Sequence, residues 1–467
     1  MKALDLNLKA FSMMETIMTN CPQYYYGFRT KASFGRSIGN GYFFNGDGNY
    51  ITIRLTNDSN CVRAFSSVCI YMDTDDNRCI SISYNNDNKN ASLYDEIAKM
   101  IQAQQTSNGG TTRYELEFEY NNLDSLLLQI FNIITEKNAS LLVDEATYLK
   151  GKTVIMQSVF IQSLLSINTN SNLIFTGAPG TGKTYLAKEV AKIVTGDSDD
   201  KNHPHYEMVQ FHPSYDYSDF VEGLRPVKNA KGEIGFERKD GVFKAFCKKA
   251  LDDYNNAENK DEAPKYVFIV DEINRGEMSK IFGELFFSID PGYRGVEGAI
   301  KTQYANLNEV PNEFDKALGI KEHNLPYSAT EKENFGHFFV PKNVYIIGTM
   351  NDIDRSVESM DFAMRRRFTF KDITATSRID MWDGNIDNWK DEALSKMNAM
   401  NAVIEQIPGL NAAYHIGPSY FMKIQDMNGN WNELWNSNLK GLVAEYLRGM
   451  PDANDRLKEV WDAYNKA

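Results

Sequence analysis

The chain has 467 residues, 42% of them hydrophobic and 24% charged, which is the composition of a soluble globular protein with about three domains. Its formal net charge of −13 argues against a protein whose whole surface binds nucleic acid, although a local basic channel is compatible with it. No apolar run approaches the length of a membrane-spanning helix, and Asp5 and Glu15 lie where a signal peptide would have its apolar core. We therefore expect a cytoplasmic protein that does not associate with membranes. The five cysteines include no C-x-x-C pair, so we expect reduced packing residues rather than a disulfide or zinc framework.

Residues 1–150 are predicted to form a separate α+β domain. An amphipathic helix near the start precedes Asn-Gly-Asp-Gly-Asn at residues 45–49, which lies between two β-forming runs and predicts a hairpin. A later strand at residues 113–120 alternates aromatic or leucine side chains with arginine and glutamate, the pattern of a strand with one solvated face.

One cluster in this region interleaves aromatic and basic residues: Tyr24, Tyr25, Tyr26, Phe28, Arg29, Lys31 and Arg36. The cluster has two interpretations. It is either a platform on which single-stranded or flipped bases stack, or a set of tyrosines packed against the sheet with cations on the surface. Acidic residues outnumber basic ones in this region, which favours packing.

The stretch NLIFTGAPGTGKTYLAKEV, residues 172–190, predicts a strand, a glycine-rich loop and a helix in that order. The loop matches G-x-x-x-x-G-K-[ST], a pattern in which backbone N–H groups and the helix N-terminus bind phosphate oxygens. Lys183 is expected to reach the β and γ phosphates of a nucleotide, and Thr184 to supply a hydroxyl to Mg²⁺. The predicted nucleotide-binding residues are Gly177, Ala178, Pro179, Gly180, Thr181, Gly182, Lys183, Thr184 and Tyr185.

Five β-forming residues at 266–270 lead directly to the acidic pair Asp271 and Glu272. Ligands of open α/β sheets bind at the carboxyl ends of the strands. Asp271 is therefore predicted to hold Mg²⁺, and Glu272 to polarise the attacking water as a general base. The alternative is that the two carboxylates simply cap a helix.

A third block, GTMNDIDRSVESMDFAMRRRF at residues 348–368, follows another predicted strand. Asn351 ends a strand that we expect beside the strand of the acidic pair, and it is predicted to hydrogen-bond the γ-phosphate or the lytic water. Asp354 and Arg355 follow in a loop. The three arginines at 365–367 are either a solvated basic helix end or the source of an arginine finger for a neighbouring subunit.

A hairpin insertion and the C-terminal region complete the prediction. Residues 225–236 predict a hairpin whose Lys228 and Lys231 either track phosphates in a ring pore or form a solvated tip. Residues 371–467 are predicted to be mostly helical, with apolar repeats that suit a lid over the nucleotide.

Together these blocks resemble AAA+ ATPases, and four of them resemble the McrB family, the GTP-using motor subunits of modification-dependent McrBC restriction systems. They are FHPSYDYSDFVEGLRP (211–226), VDEINRGEMSKIFGELF (270–286), LPYS (325–328) and GTMNDIDRS (348–356), the last of which contains the family's M-N-x-x-D-R-S pattern. The resemblance runs from about Lys152 to the C-terminus. It departs in HIGPSYFM, where Pro418 stands in place of the histidine usual in the family. Residues 295–324 form an insertion longer than the family resemblance implies, and they are either a pore loop or a partner surface.

The resemblance implies an α/β AAA+ P-loop module with a C-terminal helical lid, preceded by the separate α+β N-terminal domain. The expected domains are residues 1–150 for recognition of DNA that carries modified bases, residues 151–370 for nucleotide binding and residues 371–467 for the lid. The family also implies a homo-hexamer or other ring that sandwiches GTP, or alternatively ATP, with Mg²⁺ at its subunit interfaces. Because no nuclease motif is evident in this chain, DNA cleavage would come from a separate McrC-type nuclease subunit.

The resemblance assigns further roles within the site. Arg275 is expected to relay between the acidic pair and the M-N-x-x-D-R-S loop, and Arg365 or Arg366 is the better candidate for the arginine finger. The competing prediction is an ATP-driven AAA+ remodeller of protein clients, of the MoxR or dynein-related type, which shares the P-loop and acidic pair. A switch that binds nucleotide without turnover is disfavoured, because the full set of hydrolytic residues is present.

Overall fold

The computed structural model describes residues 2–29, 38, 41–58, 67–106, 110–197, 203–228, 232–353 and 362–467. The chain divides into two compact units, Met1–Leu165 and Ser166–Ala467. The second unit holds residues 166–370 of the predicted nucleotide-binding domain together with the predicted lid, whereas residues 151–165 belong to the first unit. Within the described residues, no helix is both long enough and apolar enough to cross a bilayer.

The first unit combines helices with one antiparallel sheet, whose strand order is β1-β2-β3-β4-β6-β5. Strand β4 buries six consecutive residues, so both of its faces are covered. This arrangement confirms the predicted α+β N-terminal region. Its elements are α1 (Lys2–Asn20), β1 (Asn45–Gly46), β2 (Tyr50–Arg54), β3 (Val68–Asp73), β4 (Arg78–Asn85), α2 (Ala91–Met100), β5 (Gln104–Gln105), β6 (Thr111–Glu117), α3 (Leu123–Asn138), α4 (Glu145–Gln157) and α5 (Val159–Thr169), the last of which crosses the boundary between the units.

The local predictions for this unit are confirmed in part. Strands β1 and β2 form a hairpin where one was predicted, but Asn45 and Gly46 belong to β1 rather than to the turn. The strand predicted at residues 113–120 spans 111–117, and its residues are half-buried or exposed, so the expected alternation of a buried and a solvated face is not found. Tyr24 stacks on a phenylalanine of α3 with ring centroids 4.4 Å apart, and Tyr26 is fully buried and donates a hydrogen bond to Glu15 Oε1 (2.8 Å). These two tyrosines are therefore core residues, as the packing interpretation predicted. Lys31 and Arg36 lie outside the described residues.

The second unit is built on a five-stranded parallel sheet of order β15-β7-β14-β11-β8. The inner strands are almost entirely buried, which is typical of parallel sheets covered on both faces. The elements of this unit are β7 (Asn172–Thr176), α6 (Lys183–Thr195), β8 (Tyr206–Gln210), α7 (Tyr217–Phe220), β9 (Glu222–Lys228), β10 (Ile234–Asp240), α8 (Val242–Asn256), β11 (Tyr266–Asp271), α9 (Met278–Phe282), β12 (Ile300–Lys301), α10 (Glu313–Ala317), α11 (Ala329–Lys332), β13 (His337–Phe338), β14 (Val344–Thr349), α12 (Phe362–Arg365), β15 (Thr369–Asp372), α13 (Lys390–Gln406), α14 (Trp431–Leu434), α15 (Lys440–Tyr446) and α16 (Ala453–Lys466).

The predicted adjacency of the strands that carry the acidic pair and Asn351 is confirmed, because β11 pairs with β14 in parallel register from Tyr266↔Val344 to Val270↔Gly348. All five strands point the same way, so the residues that follow β7, β11 and β14 meet at one edge of the sheet. This edge is where ligands of open α/β sheets bind.

The C-terminal helices pack around a hydrophobic cluster of their own, which includes Trp382, Met397, Leu434 and Leu439. A π-helical turn, Trp435–Leu439, joins α14 to α15. The predicted helical region after the sheet is therefore confirmed.

The predicted hairpin at residues 225–236 is also confirmed, and it is longer than expected because it comprises all of β9 and β10. Its base is held by Glu222, whose side chain is fully buried. Lys244 Nζ lies 2.6 Å and Arg238 Nη1 3.2 Å from Glu222 Oε2. Lys228 ends β9, while Lys231 lies outside the described residues.

The predicted insertion at residues 295–324 folds around the buried carboxylate of Asp315. That carboxylate accepts hydrogen bonds from the backbone N–H groups of Asn312, Gly336 and His337, and it lies 2.8 Å from His337 Nδ1. The insertion is therefore an ordered part of this unit, tied to the short strand β13.

Candidate functional site

The phosphate-binding loop leaves β7 at Gly177 and enters α6 at Lys183. Gly177, Gly180 and Gly182 have φ angles of 138°, 75° and 86°, which other residues rarely adopt. A side chain at Gly177 would also lie 2.4 Å from the carbonyl oxygen of Ile373. The glycines thus allow the backbone to curl ahead of the N-terminus of a 13-residue helix, where the helix dipole favours an anion.

The ammonium group of Lys183 is held by its own loop. Nζ donates to the carbonyl oxygens of Gly177 (2.9 Å) and Ala178 (2.7 Å). Burial lowers the pKa of Lys183 to about 8, although nearby carboxylates, first Asp352 and then Glu272, oppose the change. Neutral carbonyls compensate a buried cation poorly, so a nucleotide phosphate would be a better partner for this group.

Thr184 and Asp271 meet as predicted, and a third residue joins them. Thr184 Oγ1 donates to Asp271 Oδ1 (2.6 Å), and Thr349 Oγ1 donates to the same oxygen (2.6 Å). Sequence reasoning missed Thr349, the last residue of β14. The available signal was a hydroxyl at the end of a strand already expected beside β11.

The donor set at this point suits the predicted magnesium ion. Hydroxyl and carboxylate oxygens are the ligands that Mg²⁺ prefers, and both converge in front of the N-terminus of α6. Thr184 and Asp271 therefore fit a Mg²⁺ that would neutralise charge on the β and γ phosphates.

Glu272 lies in the left-handed region of backbone space, with φ 52° and ψ 46°. Its N–H donates to Thr349 Oγ1 (3.2 Å), and its Oε1 accepts from Asn351 Nδ2 (2.8 Å). Arg275 Nε lies 3.5 Å from the other carboxylate oxygen. The side chain of Glu272 makes no capping hydrogen bond to the short 3₁₀ turn that follows, which disfavours the alternative of a simple helix cap. The structure therefore brings Glu272, Asn351 and Arg275 together.

The three consecutive arginines differ in their surroundings. Arg367 is buried, and its Nη1 donates to the carbonyl oxygen of Ala363 within α12. Arg365 and Arg366 are exposed, and the guanidinium of Arg365 lies over the ring of Phe370, with Cζ 4.9 Å from the centroid. Only the first two side chains are accessible to another molecule.

Two predicted site residues, Asp354 and Arg355, lie outside the described residues.

The helical lid contacts the phosphate-binding loop directly, which the sequence did not predict. The N–H of Gly417 donates to the carbonyl of Pro179 (3.0 Å), and the N–H of Ser419 donates to that of Gly180 (3.0 Å). A side chain at Gly417 would lie 2.3 Å from the carbonyl carbon of Gly180. The segment around Pro418 thus braces the loop through its backbone rather than through the side chain at that position.

Tyr185, at the start of α6, is 56% exposed. Arg378 lies beside it, with Cζ 5.9 Å from the tyrosine ring centroid, and forms ion pairs with Glu189 (2.8 Å) and Asp380 (3.0 Å). This leaves an open aromatic surface next to the phosphate-binding end of the helix.

A cavity of about 510 Å³ opens on the other side of the loop, between the carboxyl ends of β7 and β15 and helix α13. Its ionisable lining consists of Asp352, Asp372, Glu405 and His415. Burial, reinforced by Asp372, raises the pKa of Asp352 above its usual range. Because carboxylates dominate this lining, we expect phosphates to bind on the α6 side of the loop instead.

Comparison with known proteins relates this site to two groups. Residues 172–368 match the family model described as the AAA domain of the dynein-related subfamily. The chain is 34% identical over 300 residues to the type IV methyl-directed restriction enzyme EcoKMcrB subunit of Escherichia coli strain K12, covering 62% of this chain and 56% of that protein. It is 25% identical over 309 residues to component YdiS of the type II restriction enzyme BsuMI of Bacillus subtilis strain 168, covering 59% and 78% respectively.

The matched region spans little more than half the length of the E. coli relative. The resemblance to McrB and the AAA+ fold class that the sequence predicted are both confirmed by these matches.

Proposed function

Because this chain carries an AAA domain and resembles McrB, we propose that it is the nucleotide-hydrolysing motor of a DNA restriction system. In this proposal it prefers GTP, assembles as a homo-hexamer or other ring, and translocates on DNA. Its N-terminal unit recognises DNA carrying modified bases, and a separate McrC-type nuclease subunit cuts the DNA. The two relatives named above are both restriction components, which supports this choice over other roles of AAA domains.

The observation that carries the proposal is the meeting of six side chains at one edge of the parallel sheet. Thr184, Asp271 and Thr349 share one carboxylate oxygen, while Asn351 and Arg275 flank the carboxylate of Glu272. A cluster that served only to stabilise the fold would need no more than balanced charges. Here hydroxyl, amide and carboxylate groups lie beside the phosphate-binding loop, where Asp271 and Glu272 are near enough to act on the charge of Lys183, as hydrolysis of a phosphoanhydride requires.

Each group then has a chemical task. Mg²⁺, held by Thr184 and Asp271, would screen the β and γ phosphates. Glu272 accepts the proton of the attacking water, and Asn351 orients both that carboxylate and the water. Lys183 leaves its loop carbonyls for the phosphates. Arg365 or Arg366 of a neighbouring copy stabilises the charge on the transferring phosphoryl group.

The test is turnover of GTP and ATP by the full chain, with and without plain, methylated and hydroxymethylated DNA. We expect GTP hydrolysis to exceed ATP hydrolysis and modified DNA to bind. ATP preference with indifference to DNA would support the alternative, an ATP-driven remodeller of protein clients, which the dynein-related description of the matched domain favours. A protein that stays monomeric with saturating nucleotide and Mg²⁺ would contradict the ring and its shared sites.

A further inference from the structure

A buried cluster of hydrogen-bonded polar groups lies at the amino end of β7, the end opposite to the phosphate-binding loop. Arg294 is 5% exposed. Its Nη2 donates to Asn172 Oδ1 (2.5 Å) and its Nη1 to the carbonyl oxygen of Val344 (3.3 Å). Among the described residues, none forms an ion pair with this guanidinium, and burial lowers its pKa to about 10. A charge buried against neutral partners is costly, so its placement calls for a specific use.

The amide of Asn172 uses its remaining hydrogen-bonding capacity to join three segments. Nδ2 donates to the carbonyl oxygens of Ile289 (2.7 Å) and Arg367 (2.9 Å), while Oδ1 accepts from Arg294. Both amide hydrogens and the acceptor are therefore engaged. One side chain thus connects the start of β7, the segment after α9 and the segment between α12 and β15.

The anchored carbonyl of Arg367 lies immediately after the exposed arginine pair. Met364 and Phe368 are buried on either side and fix the depth of this segment in the core. Apolar packing is non-directional, so it does not by itself fix how the backbone of this segment is rotated about its own long axis. The hydrogen bond from Asn172 adds a directional contact to the backbone hydrogen bonds made within this segment.

We propose that Asn172 and Arg294 are positioning residues that aim Arg365 and Arg366 at the nucleotide of a neighbouring copy of the chain. This inference rests on the proposed function, because it assumes a site shared between copies. The geometry adds a mechanical point. One end of β7 becomes the subunit's own phosphate-binding loop, and the other end holds the backbone of Arg367, next to the two arginines that the subunit would offer to its neighbour.

The most informative variant is Asn172→Asp. It keeps the size of the side chain and a partner for Arg294, but it places an acceptor against the carbonyls of Ile289 and Arg367. We expect nucleotide affinity within about twofold of wild type and kcat lower by roughly 10- to 100-fold with KM unchanged, because small misplacements of a catalytic group cost rates of that order. Asn255→Asp, at an exposed position of α8, is the matched control and should retain the wild-type kcat.

Rings assembled from copies of two variants distinguish misplaced arginines from a general loss of structure. Asn172→Asp copies would have an intact hydrolytic site but misplaced arginines, whereas Glu272→Gln copies would have intact arginines but no general base. Mixed rings should therefore recover turnover that neither variant has alone. The reference mixture combines Glu272→Gln with a double variant, Arg365→Ala and Arg366→Ala.

The outcomes are distinct. Recovery in both mixtures supports the inference. Recovery in the reference mixture alone overturns the inference and leaves the proposed function standing, and recovery in neither overturns both. If Asn172→Asp no longer binds nucleotide, Arg294→Lys replaces it. That variant keeps the charge but loses the planar fork whose two nitrogens reach Val344 and Asn172. We expect a smaller loss of kcat with the same recovery; a wild-type kcat would overturn the inference.

Discussion

Nucleotide binding should be coupled to proton uptake by Lys183. Burial against loop carbonyls lowers the pKa of this lysine from 10.5 to about 8, a difference that corresponds to about 3 kcal/mol favouring the neutral amine. A bound triphosphate places negative charge against Nζ and restores the charged form. Because the pKa of Lys183 in the free protein is about 8, the lysine is already mostly charged below pH 8, and binding takes up only a small fraction of a proton there. Between pH 8 and 10.5, binding must take one up, so affinity falls as pH rises through this window.

The assay is isothermal titration calorimetry in pairs of buffers with different ionisation enthalpies. With a pKa of about 8, uptake should be about 0.1 proton at pH 7 and about 0.9 at pH 9, and phosphate groups, with pKa near 6, contribute little at the higher pH. Lys188→Met removes an exposed lysine from the same helix and should leave the uptake unchanged. Equal uptake at the two pH values, or none at pH 9, would refute the argument that burial holds Lys183 poised to lose its proton.

Glu272→Gln should bind nucleotide and assemble normally while kcat falls by roughly 10²- to 10⁴-fold, and wild-type turnover would reject this residue as the base. Gly417→Ala should weaken binding of a labelled nucleotide by at least roughly tenfold, because its Cβ would lie 2.3 Å from the loop backbone, whereas Gly441→Ala, where a Cβ meets nothing within 4 Å, should bind normally. Lys244→Met should lower the free energy of unfolding by about 3 kcal/mol in a denaturant titration, since it removes the nearer of the two cations that pair with the buried Glu222. Restoring stability with a second change, Glu222→Gln, would show that the unpaired carboxylate is the cause, and no recovery would show that lost packing is.

Much of the site could be predicted because its chemistry follows from strand order. A buried apolar run that ends in a glycine-rich loop, or in Asp271 and Glu272, marks the carboxyl end of a strand. The ends of neighbouring parallel strands meet at one edge, and for this reason the contact between Asn351 and Glu272 (2.8 Å) was within reach of sequence reasoning.

The contacts that were missed join residues with no periodic signal. Asn172 opens an otherwise apolar strand and looks like an ordinary strand boundary, and its carbonyl partners are 117 and 195 residues away. Gly417 interacts through its backbone N–H, a group that every residue except proline possesses. Such pairings depend on which segments tertiary packing brings together, and neither composition nor spacing encodes that.

The backbone hydrogen bonds from Gly417 and Ser419 to the loop have a consequence for how spent nucleotide could leave. A displacement of the lid by about 1 Å would lengthen both bonds beyond the range in which they contribute. The phosphate-binding loop would then lose its hydrogen bonds to the C-terminal helical region as soon as that region tilts. Release of the nucleoside diphosphate would thus coincide with movement of the C-terminal helices. A force applied to those helices would act directly on the loop that binds the nucleotide.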